Sequence, residues 1–323
     1  MTGAPERATS PTVDVVILSW DRGRSTLEAV ASARAQEGVA TRVWVVDQGS
    51  GADCLEGLRA AARDDDAVTL VELGRNLGVA GGRNHGMSLG SAELIVALDN
   101  DAVFEHVRTV AAAADRFIAD GSLAALGFRI MHGRTGRDDE GSWAYPRQLK
   151  ARRDEPFYAT RFCGAAHMIR RAALAATQGY DDALFFYWEE LDLSYQLIQA
   201  GYRIGYEPSA RALHFTGAEQ RTHWEGDRFY YLVRNALYLE WKYFRSPRRL
   251  STLAAGYQLK GLRNGVLRQS VRAVVDGLAM MRAIPADVRP LGPEARDYIR
   301  KHDTSHRGGL LRRLRTEALE RVG

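Results

Sequence analysis

Two carboxylates, Asp99 and Asp101, stand two positions apart and directly follow the apolar run 94–98. The run predicts a buried strand, so both carboxylates are expected at its carboxyl end. Paired carboxylate oxygens suit Mg²⁺ or Mn²⁺, which share their other coordination positions with water and substrate phosphates. The pair therefore predicts a metal site that handles a nucleoside diphosphate. The alternative is an ordinary strand-end turn rich in Asp and Asn.

Other polar candidates also follow apolar runs. Ser19 and Asp21 come after residues 13–18, and Asp47 comes after residues 41–46. Ligands of open α/β sheets bind beyond the carboxyl ends of the strands, so these side chains are expected at one edge together with Asp99. The alternative is ordinary loop chemistry between strand and helix.

Short apolar runs alternate with helical patterns through the first half of the chain. Strands are predicted over 13–19, 41–46, 68–73 and 94–98, and helices over 24–36, 55–63 and 81–88. This alternation predicts an α/β fold whose parallel sheet is covered on both faces. Beyond about residue 126 the pattern loosens. A further strand is predicted over 202–206, and mostly helix from residue 224 onward.

The charge is distributed unevenly. The net charge is +4, but from Trp241 onward there are 18 Lys and Arg against 7 Asp and Glu. Apolar residues at helical spacing between Leu259 and Met281, with basic residues among them, predict one helix. It either packs on the rest of the protein or lies on an anionic membrane surface. No nucleic-acid module is recognised, so nucleic acid is not expected as a partner.

Compartment and redox state follow from what the chain lacks. Cys54 and Cys163 form no metal-binding spacing, the N-terminus has no apolar signal region, and no apolar run is long enough to span a bilayer. These features predict a cytoplasmic protein, with peripheral contact at the inner face of the membrane as the alternative.

Six segments, in this order, resemble the family 2 inverting glycosyltransferases, including rhamnosyltransferase-like and galactofuranosyltransferase-like members: VVILSWDR, VVDQGS, NLGVAGGRNHG, LDND, GYDDALFFYWEELDL and GYRIGYEPSARALHF. The resemblance covers residues 13–240. It implies a GT-A fold, meaning a Rossmann-like, mostly parallel central sheet flanked by helices, here with a C-terminal helical extension. It also implies a nucleotide-sugar donor, a divalent metal and a single displacement with inversion at the anomeric carbon.

The chain is predicted to have four parts. Residues 1–12 are a disordered N-terminus, 13–125 the nucleotide-sugar-binding half, 126–223 the acceptor-binding and catalytic half, and 224–323 a basic helical extension.

Donor and metal contacts are implied by the same resemblance. Asp101 and His214 would hold Mn²⁺ or Mg²⁺, and Asp99 would reach the ribose or a metal-bound water. Asn100 would add a donor contact, and Asp47 would accept a hydrogen bond from the pyrimidine base. Ser19 and Asp21 would line the same site.

Glu190 is the predicted catalytic base, which takes a proton from an acceptor hydroxyl. The family more often has an Asp at this position, so the extra methylene shifts the carboxylate. Glu189 and Asp192 are rivals for the role, and all three acids also suit the first turn of a helix. Glu189, Trp188 and Gly164 are the predicted acceptor contacts.

The glycine-rich segment 78–86 differs in spacing from a dinucleotide-binding fingerprint. Its helix N-terminus and Arg83 are predicted to contact the donor. The alternative is structural, with Gly81 and Gly82 allowing close packing of helix on sheet.

Together these features predict a metal-dependent glycosyltransferase. It would transfer a sugar from a UDP- or dTDP-sugar to a hydroxyl of a glycan, lipid-linked or small-molecule acceptor. One alternative is a sugar-nucleotide nucleotidyltransferase, which should carry a Gly-rich phosphate loop after the first strand. Another is a non-catalytic nucleotide- or carbohydrate-binding protein.

Overall fold

The computed structural model describes residues 11–215 and 225–307. The predicted disorder of residues 1–12 therefore falls almost entirely outside the described residues, as does the end of the basic tail beyond residue 307. Thr12 already belongs to the first strand.

Nine strands form one sheet within the described part of the chain. Their bounds are Thr12–Ser19 (β1), Ala40–Asp47 (β2), Val68–Glu72 (β3), Leu94–Leu98 (β4), Ala102–Phe104 (β5), Leu123–His132 (β6), Phe157–Ala159 (β7), Ala166–Arg170 (β8) and Arg203–His214 (β9).

The helices of the described residues cover the sheet and continue into a C-terminal helical region. Their bounds are Gly23–Arg34 (α1), Ala52–Asp64 (α2), Gly78–Ser88 (α3), Thr109–Ala119 (α4), Arg171–Ala175 (α5), Glu189–Gln199 (α6), Glu225–Phe244 (α7), Pro247–Arg263 (α8), Leu267–Arg282 (α9) and Pro293–His302 (α10).

The sheet runs in the order β3-β2-β1-β4-β8-β6-β9-β5, and β7 pairs with β9. Strands β1 to β4 pair in parallel, as does β6 with β9, whereas β8 runs antiparallel to both of its neighbours. The four strands predicted for the first half are present with nearly the predicted bounds. The predicted α/β fold, with a mostly parallel central sheet flanked by helices, is confirmed.

Both faces of the sheet are buried. Val15 and Ile17 pack into the core on one face, and Val16 and Ile95 pack into the core on the other. Successive side chains of a strand point to opposite faces, so strands covered on both sides read as continuous apolar runs. This arrangement explains why the first half of the sheet could be located from sequence.

Strand β9 is longer than the predicted 202–206 because it passes through an irregularity. Its register against β6 shifts between Phe128, opposite Glu207, and Arg129, opposite Arg211. The shift accommodates Pro208, which cannot donate a ladder hydrogen bond. Pairing then resumes and carries the strand on to His214.

The predicted single helix between Leu259 and Met281 is wrong, because the chain breaks it into α8 and α9. Gly265 between them has φ of +73°, a left-handed conformation that suits glycine and ends a helix. A Cβ at Gly261 would lie 2.8 Å from Cβ of Ser270, so the two helices cross closely at this point. None of the helices described is long and apolar enough to cross a membrane.

Candidate active site

Three side chains that can bind a cation meet at one edge of the sheet. Asp99 and Asp101 lie between β4 and β5, and His214 ends β9. The antiparallel pairing of β5 with β9 places Ala102 opposite His214. One ligand atom from each of Asp99, Asp101 and His214 lies within 4.8 Å of the others. Two carboxylate oxygens and an imidazole nitrogen form a donor set that suits Mn²⁺.

His214 lies between two carboxylates. Its Nε2 is 3.3 Å from Oδ1 of Asp101, and its Nδ1 is 3.2 Å from Oδ2 of Asp139. Burial alone would lower the pKa of His214, but the hydrogen bonds to both carboxylates raise it to about 10. The hydrogen bond from His214 in turn helps to lower the pKa of Asp139 to about 2. A cation bound here would displace a proton from the imidazole.

Asp139 and Arg22 were both missed by the sequence analysis. Asp139 belongs to a charged loop without a motif, and Arg22 follows Asp21 in the loop after β1. Nη1 of Arg22 donates to Oδ2 of Asp101 at 2.9 Å. Neither contact has a local sequence signal, because each joins positions that are far apart in the chain.

The loops after β1 and β2 are tied together near this edge. Asp21 has φ of 51°, and its Oδ1 accepts a hydrogen bond from the amide of Gly51 at 2.7 Å. The amide of Asp21 donates to Oγ of Ser50 at 2.8 Å, and that hydroxyl also bonds Asp47. Asp21 and Asp47, predicted from separate strands, are therefore neighbours in one network.

Asp47 and Ser19 are buried and already hydrogen-bonded within the protein. Oδ1 of Asp47 accepts from the amides of Gly49 and Ser50, at 3.0 and 2.9 Å. Oγ of Ser19 accepts from Thr26 at 3.2 Å. Their donor contacts remain predictions, as does that of Asn100, which lies half-buried between Asp99 and Asp101.

Arg83 joins Asp99 to the loop before β8. Its side chain is completely buried, and Nη2 donates to Oδ1 of Asp99 at 2.6 Å and to the carbonyl of Gly164 at 3.1 Å. Nε and Nη1 of Arg83 have no hydrogen-bond partner among the described residues. Arg83 therefore holds Asp99 and the Gly164 loop together, and its contact with the donor stays a prediction.

The rest of segment 78–86 supports the loop that precedes the predicted catalytic acids. A Cβ at Gly78 would lie 2.3 Å from the carbonyl oxygen of Phe185, and the amide of Val79 donates to that carbonyl at 2.7 Å. Asn84 donates to the carbonyl of Tyr180 and accepts from its amide. The helix packs most closely on the sheet at Gly86, where a Cβ would lie 2.3 Å from Cγ1 of Val16, whereas a Cβ at Gly81 would meet Leu77 and one at Gly82 would meet Gln48.

The loop before α6 has an unusual backbone. Phe185, Tyr187 and Trp188 have φ values of 62°, 69° and 75°, a region that non-glycine residues rarely adopt. Strained backbone of this kind persists only where its surroundings enforce it, and it clusters at functional sites. The loop, residues 184–188, delivers Glu189 and Glu190 to the first turn of α6, where the helix dipole favours carboxylates.

Glu190 is partly exposed and lies against Gly164. A Cβ at position 164 would be 2.1 Å from Oε1 of Glu190, so only glycine fits without displacing the carboxylate. Burial raises the pKa of Glu190 to about 7, although the charge of Arg83 opposes the shift. A carboxylate with a pKa near neutrality suits a general base.

The two rival acids differ in their surroundings. Glu189 is buried, and burial together with the charge of Glu190 holds its pKa well above the ordinary value. Asp192 is completely buried and accepts a hydrogen bond from Nζ of Lys242 at 2.7 Å and from the hydroxyl of Tyr243 at 2.8 Å. Asp192 therefore has a structural ion pair, which leaves Glu190 as the more accessible carboxylate.

Helix α7 fixes the strained loop from the other side. Nδ2 of Asn235, which is completely buried, donates to three carbonyls within 2.9 Å: those of Leu184, Phe186 and Tyr187. Arg234 donates to the carbonyls of Ala183 and Leu184, and Nε1 of Trp188 donates to the carbonyl of Leu232 at 2.9 Å. No motif marks Arg234 or Asn235, so neither could be predicted from the sequence.

Known proteins with similar sequences include an N-acetylglucosaminyltransferase and succinoglycan biosynthesis proteins. The sequence model of glycosyl transferase family 2 matches residues 14–177. The succinoglycan biosynthesis protein ExoO of Rhizobium meliloti is 40% identical over 91 residues, 28% of this chain and 26% of that protein. An N-acetylglucosaminyltransferase of Azorhizobium caulinodans is 27% identical over 223 residues, 63% of this chain and 54% of that protein. The chain thus spans from about a quarter to about half of these curated relatives.

Two solved structures share the fold. A mannosyltransferase from Pyrobaculum calidifontis in complex with GDP-Man and Mn²⁺ has a TM-score of 0.59 at 19% identity, over 98% of this chain and 86% of that one. GalNAc-T7 with UDP, GalNAc and Mn²⁺ has a TM-score of 0.52 at 16% identity, over 72% and 51%. The predicted GT-A fold is confirmed by these likenesses, and the match to the family model shows that the chain belongs to glycosyl transferase family 2.

Proposed function

We propose that the protein is a metal-dependent inverting glycosyltransferase, which uses a UDP- or dTDP-sugar and a hydroxyl acceptor. One observation carries the proposal. Asp99, Asp101 and His214 lie together, and Arg83 links Asp99 to the Gly164 loop against which Glu190 rests. A candidate metal site and a candidate base are thereby connected through one buried arginine.

The cation in this proposal is Mn²⁺ or Mg²⁺, held by Asp101 and His214 with Asp99 beside them. The donor set fits, since it combines hard carboxylate oxygens with an imidazole that suits Mn²⁺ better than Mg²⁺. Both fold neighbours were solved with Mn²⁺ and a nucleotide or nucleotide sugar. A divalent ion would neutralise the negative charge that grows on the departing nucleoside diphosphate.

The donor would lie across the carboxyl ends of β1, β2 and β4. Asp47, with Ser19 and Asp21 beside it, would face the base, and Asp99 and Asn100 would contact the ribose region. Oδ2 of Asp47 accepts from the Ser50 hydroxyl and keeps a second lone pair that the base could use. The donor sugar, including the rhamnosyl or galactofuranosyl choice, rests on sequence resemblance and is part of the proposal.

Glu190 would act on the acceptor. Its carboxylate takes the proton from an acceptor hydroxyl as that oxygen forms a bond to the anomeric carbon. The bond from the anomeric carbon to the diphosphate breaks on the opposite face, so the configuration inverts and the nucleoside diphosphate leaves with the electron pair. Glu189, Trp188 and Gly164 would line the acceptor side, for a glycan, lipid-linked or small-molecule acceptor.

A donor panel tests the proposal. UDP-, dTDP- and GDP-sugars are compared by thermal shift and by slow donor hydrolysis, each with Mn²⁺, Mg²⁺ or EDTA. We expect one nucleotide class to stabilise the protein only with metal, and Asp101→Ala to abolish the effect. Absence of nucleotide binding with either metal would contradict the proposal. Release of pyrophosphate instead of nucleoside diphosphate would indicate a nucleotidyltransferase.

A further inference from the structure

The hairpin formed by α8 and α9 carries an unusual share of the exposed apolar surface. Ten large apolar side chains are exposed among the described residues, and six of them lie on this hairpin: Leu259, Leu262, Leu267, Val271, Val275 and Leu278. Scattered exposed apolar residues are ordinary, but apolar residues that share one exposed helix face indicate an interaction surface.

On α9 these residues form one stripe. Leu267, Val271, Val275 and Leu278 recur at intervals of four, four and three, which places them on one face of a helix. The opposite face is buried against the neighbouring helices through residues that include Ala273. The stripe is therefore not part of the packing of α9 on the rest of the described protein.

Basic residues accompany the stripe. The hairpin, residues 247–282, contains seven Lys and Arg and one acidic residue, Asp276. Arg268 and Arg272 are exposed and lie beside the apolar stripe of α9. An apolar stripe with a basic flank is the pattern of helices that lie in the interface of an anionic bilayer.

We propose that this hairpin docks on the surface of an anionic phospholipid membrane. The apolar side chains enter the headgroup region, and the arginines contact the anionic headgroups. Nucleic acid would account for the charge but not for the exposed leucines and valines. A second copy of this chain would bring two strongly basic surfaces together, which like-charge repulsion opposes.

The test is co-sedimentation of the full chain with vesicles. Vesicles of phosphatidylcholine alone are compared with mixed phosphatidylcholine–phosphatidylglycerol vesicles, at low and high salt. We expect binding only to the anionic vesicles, weakened by salt because exposed charges are screened. Arg268→Gln with Arg272→Gln should weaken binding about fivefold for each arginine removed. Val271→Ser with Val275→Ser should weaken it as well.

The control variants replace the same kinds of exposed residue, apolar or arginine, at surface positions outside the hairpin. Ile118→Ser removes an exposed apolar side chain on α4, and Arg24→Gln with Arg300→Gln removes two exposed arginines. Circular dichroism melting checks that all variants fold. Vesicle binding is measured without donor or acceptor, so its result is independent of the glycosyl transfer proposed above.

Results of two kinds, in vesicle binding and in self-association, would overturn the membrane assignment. The first is no binding to anionic vesicles, or binding that the hairpin variants and the controls reduce equally. The second is self-association in sedimentation velocity that Val271→Ser with Val275→Ser abolishes, because this would show that the stripe is covered by a second copy of the chain.

Discussion

Asp139 holds the ring of His214 on the side opposite Asp101. Nδ1 of His214 lies 3.2 Å from the Asp139 carboxylate, while Nε2 faces Asp101 at 3.3 Å. In metal sites, a carboxylate bonded to the outer nitrogen of a ligating histidine fixes the ring orientation and makes the other nitrogen a better ligand. Asp139 therefore has the position of an orienting residue for the proposed ion.

Replacing this carboxylate should weaken metal binding. Asp139→Asn is expected to lower the affinity for Mn²⁺ about 10- to 100-fold, measured by isothermal titration calorimetry. Asp138→Asn is the matched control, because Asp138 pairs with Arg129 instead of His214. Equal losses in the two variants would indicate a general charge effect and contradict an orienting role.

Turnover should depend on an unprotonated Glu190. With a pKa of about 7, the carboxylate is protonated as the pH falls through neutrality, so kcat/KM should decline on the acidic side of that value. Glu190→Gln should lower kcat by about 10²–10⁴-fold with donor affinity retained. A pH profile that is flat between 6 and 8 would exclude Glu190 as the titrating base.

Asn235 should affect the rate through the loop that it holds. Asn235→Ala removes the donor shared by three backbone carbonyls, so the strained loop would relax and move Glu190. A displacement of about 1 Å can reduce turnover about 10²-fold. We expect kcat to fall while nucleotide binding is unchanged. Asn264→Ala, at the end of α8, is the control, and donor binding lost in parallel with kcat would indicate general unfolding.

Lys242 should contribute mainly to stability. Its ammonium group bonds Asp181 and Asp192, at 2.9 and 2.7 Å, in a buried setting. Lys242→Met leaves Asp192 buried without its counter-charge, which should lower the free energy of unfolding by about 3–5 kcal/mol. Lys260→Met, on the half-exposed surface of α8, should change it by less than about 0.5 kcal/mol. Urea denaturation compares the two variants.

Gly164 should tolerate no side chain. Gly164→Ala places a Cβ 2.1 Å from Oε1 of Glu190, so the carboxylate must move and kcat should fall. Gly121→Ala, where a Cβ meets nothing within 4 Å, should leave kcat unchanged. Retained activity in Gly164→Ala would mean that Glu190 has another productive position.

Sequence patterns predicted the features that depend on neighbouring positions in the chain. Buried parallel strands read as apolar runs, so the edge carrying Asp47, Asp99 and Asp101 could be located. His214 was found only through family resemblance, because the strand that delivers it passes an irregularity at Pro208. Asp139, Arg22 and Asn235 could not be found, since each acts through a contact between distant positions.

Arg83 shows a different limit of sequence analysis. Its type and its place in a glycine-rich segment predicted contact with the donor, and the structure shows the side chain buried against Asp99 and Gly164. The residue type indicated the charge correctly and could not indicate which carboxylate it faces. The break between α8 and α9 could not be predicted for a related reason. The apolar spacing continues across Gly265, and the sequence does not show that this glycine adopts a left-handed conformation.

The cation site also has a thermodynamic consequence. Its three side chains come from the turn between β4 and β5 and from the end of β9, segments that pair in the sheet but lie far apart along the chain. An ion bound by all three would cross-link two distant stretches of the polypeptide and bind the native state alone. Its binding free energy would then add to the free energy of unfolding, so the melting temperature should rise with the logarithm of free Mn²⁺ concentration above Kd.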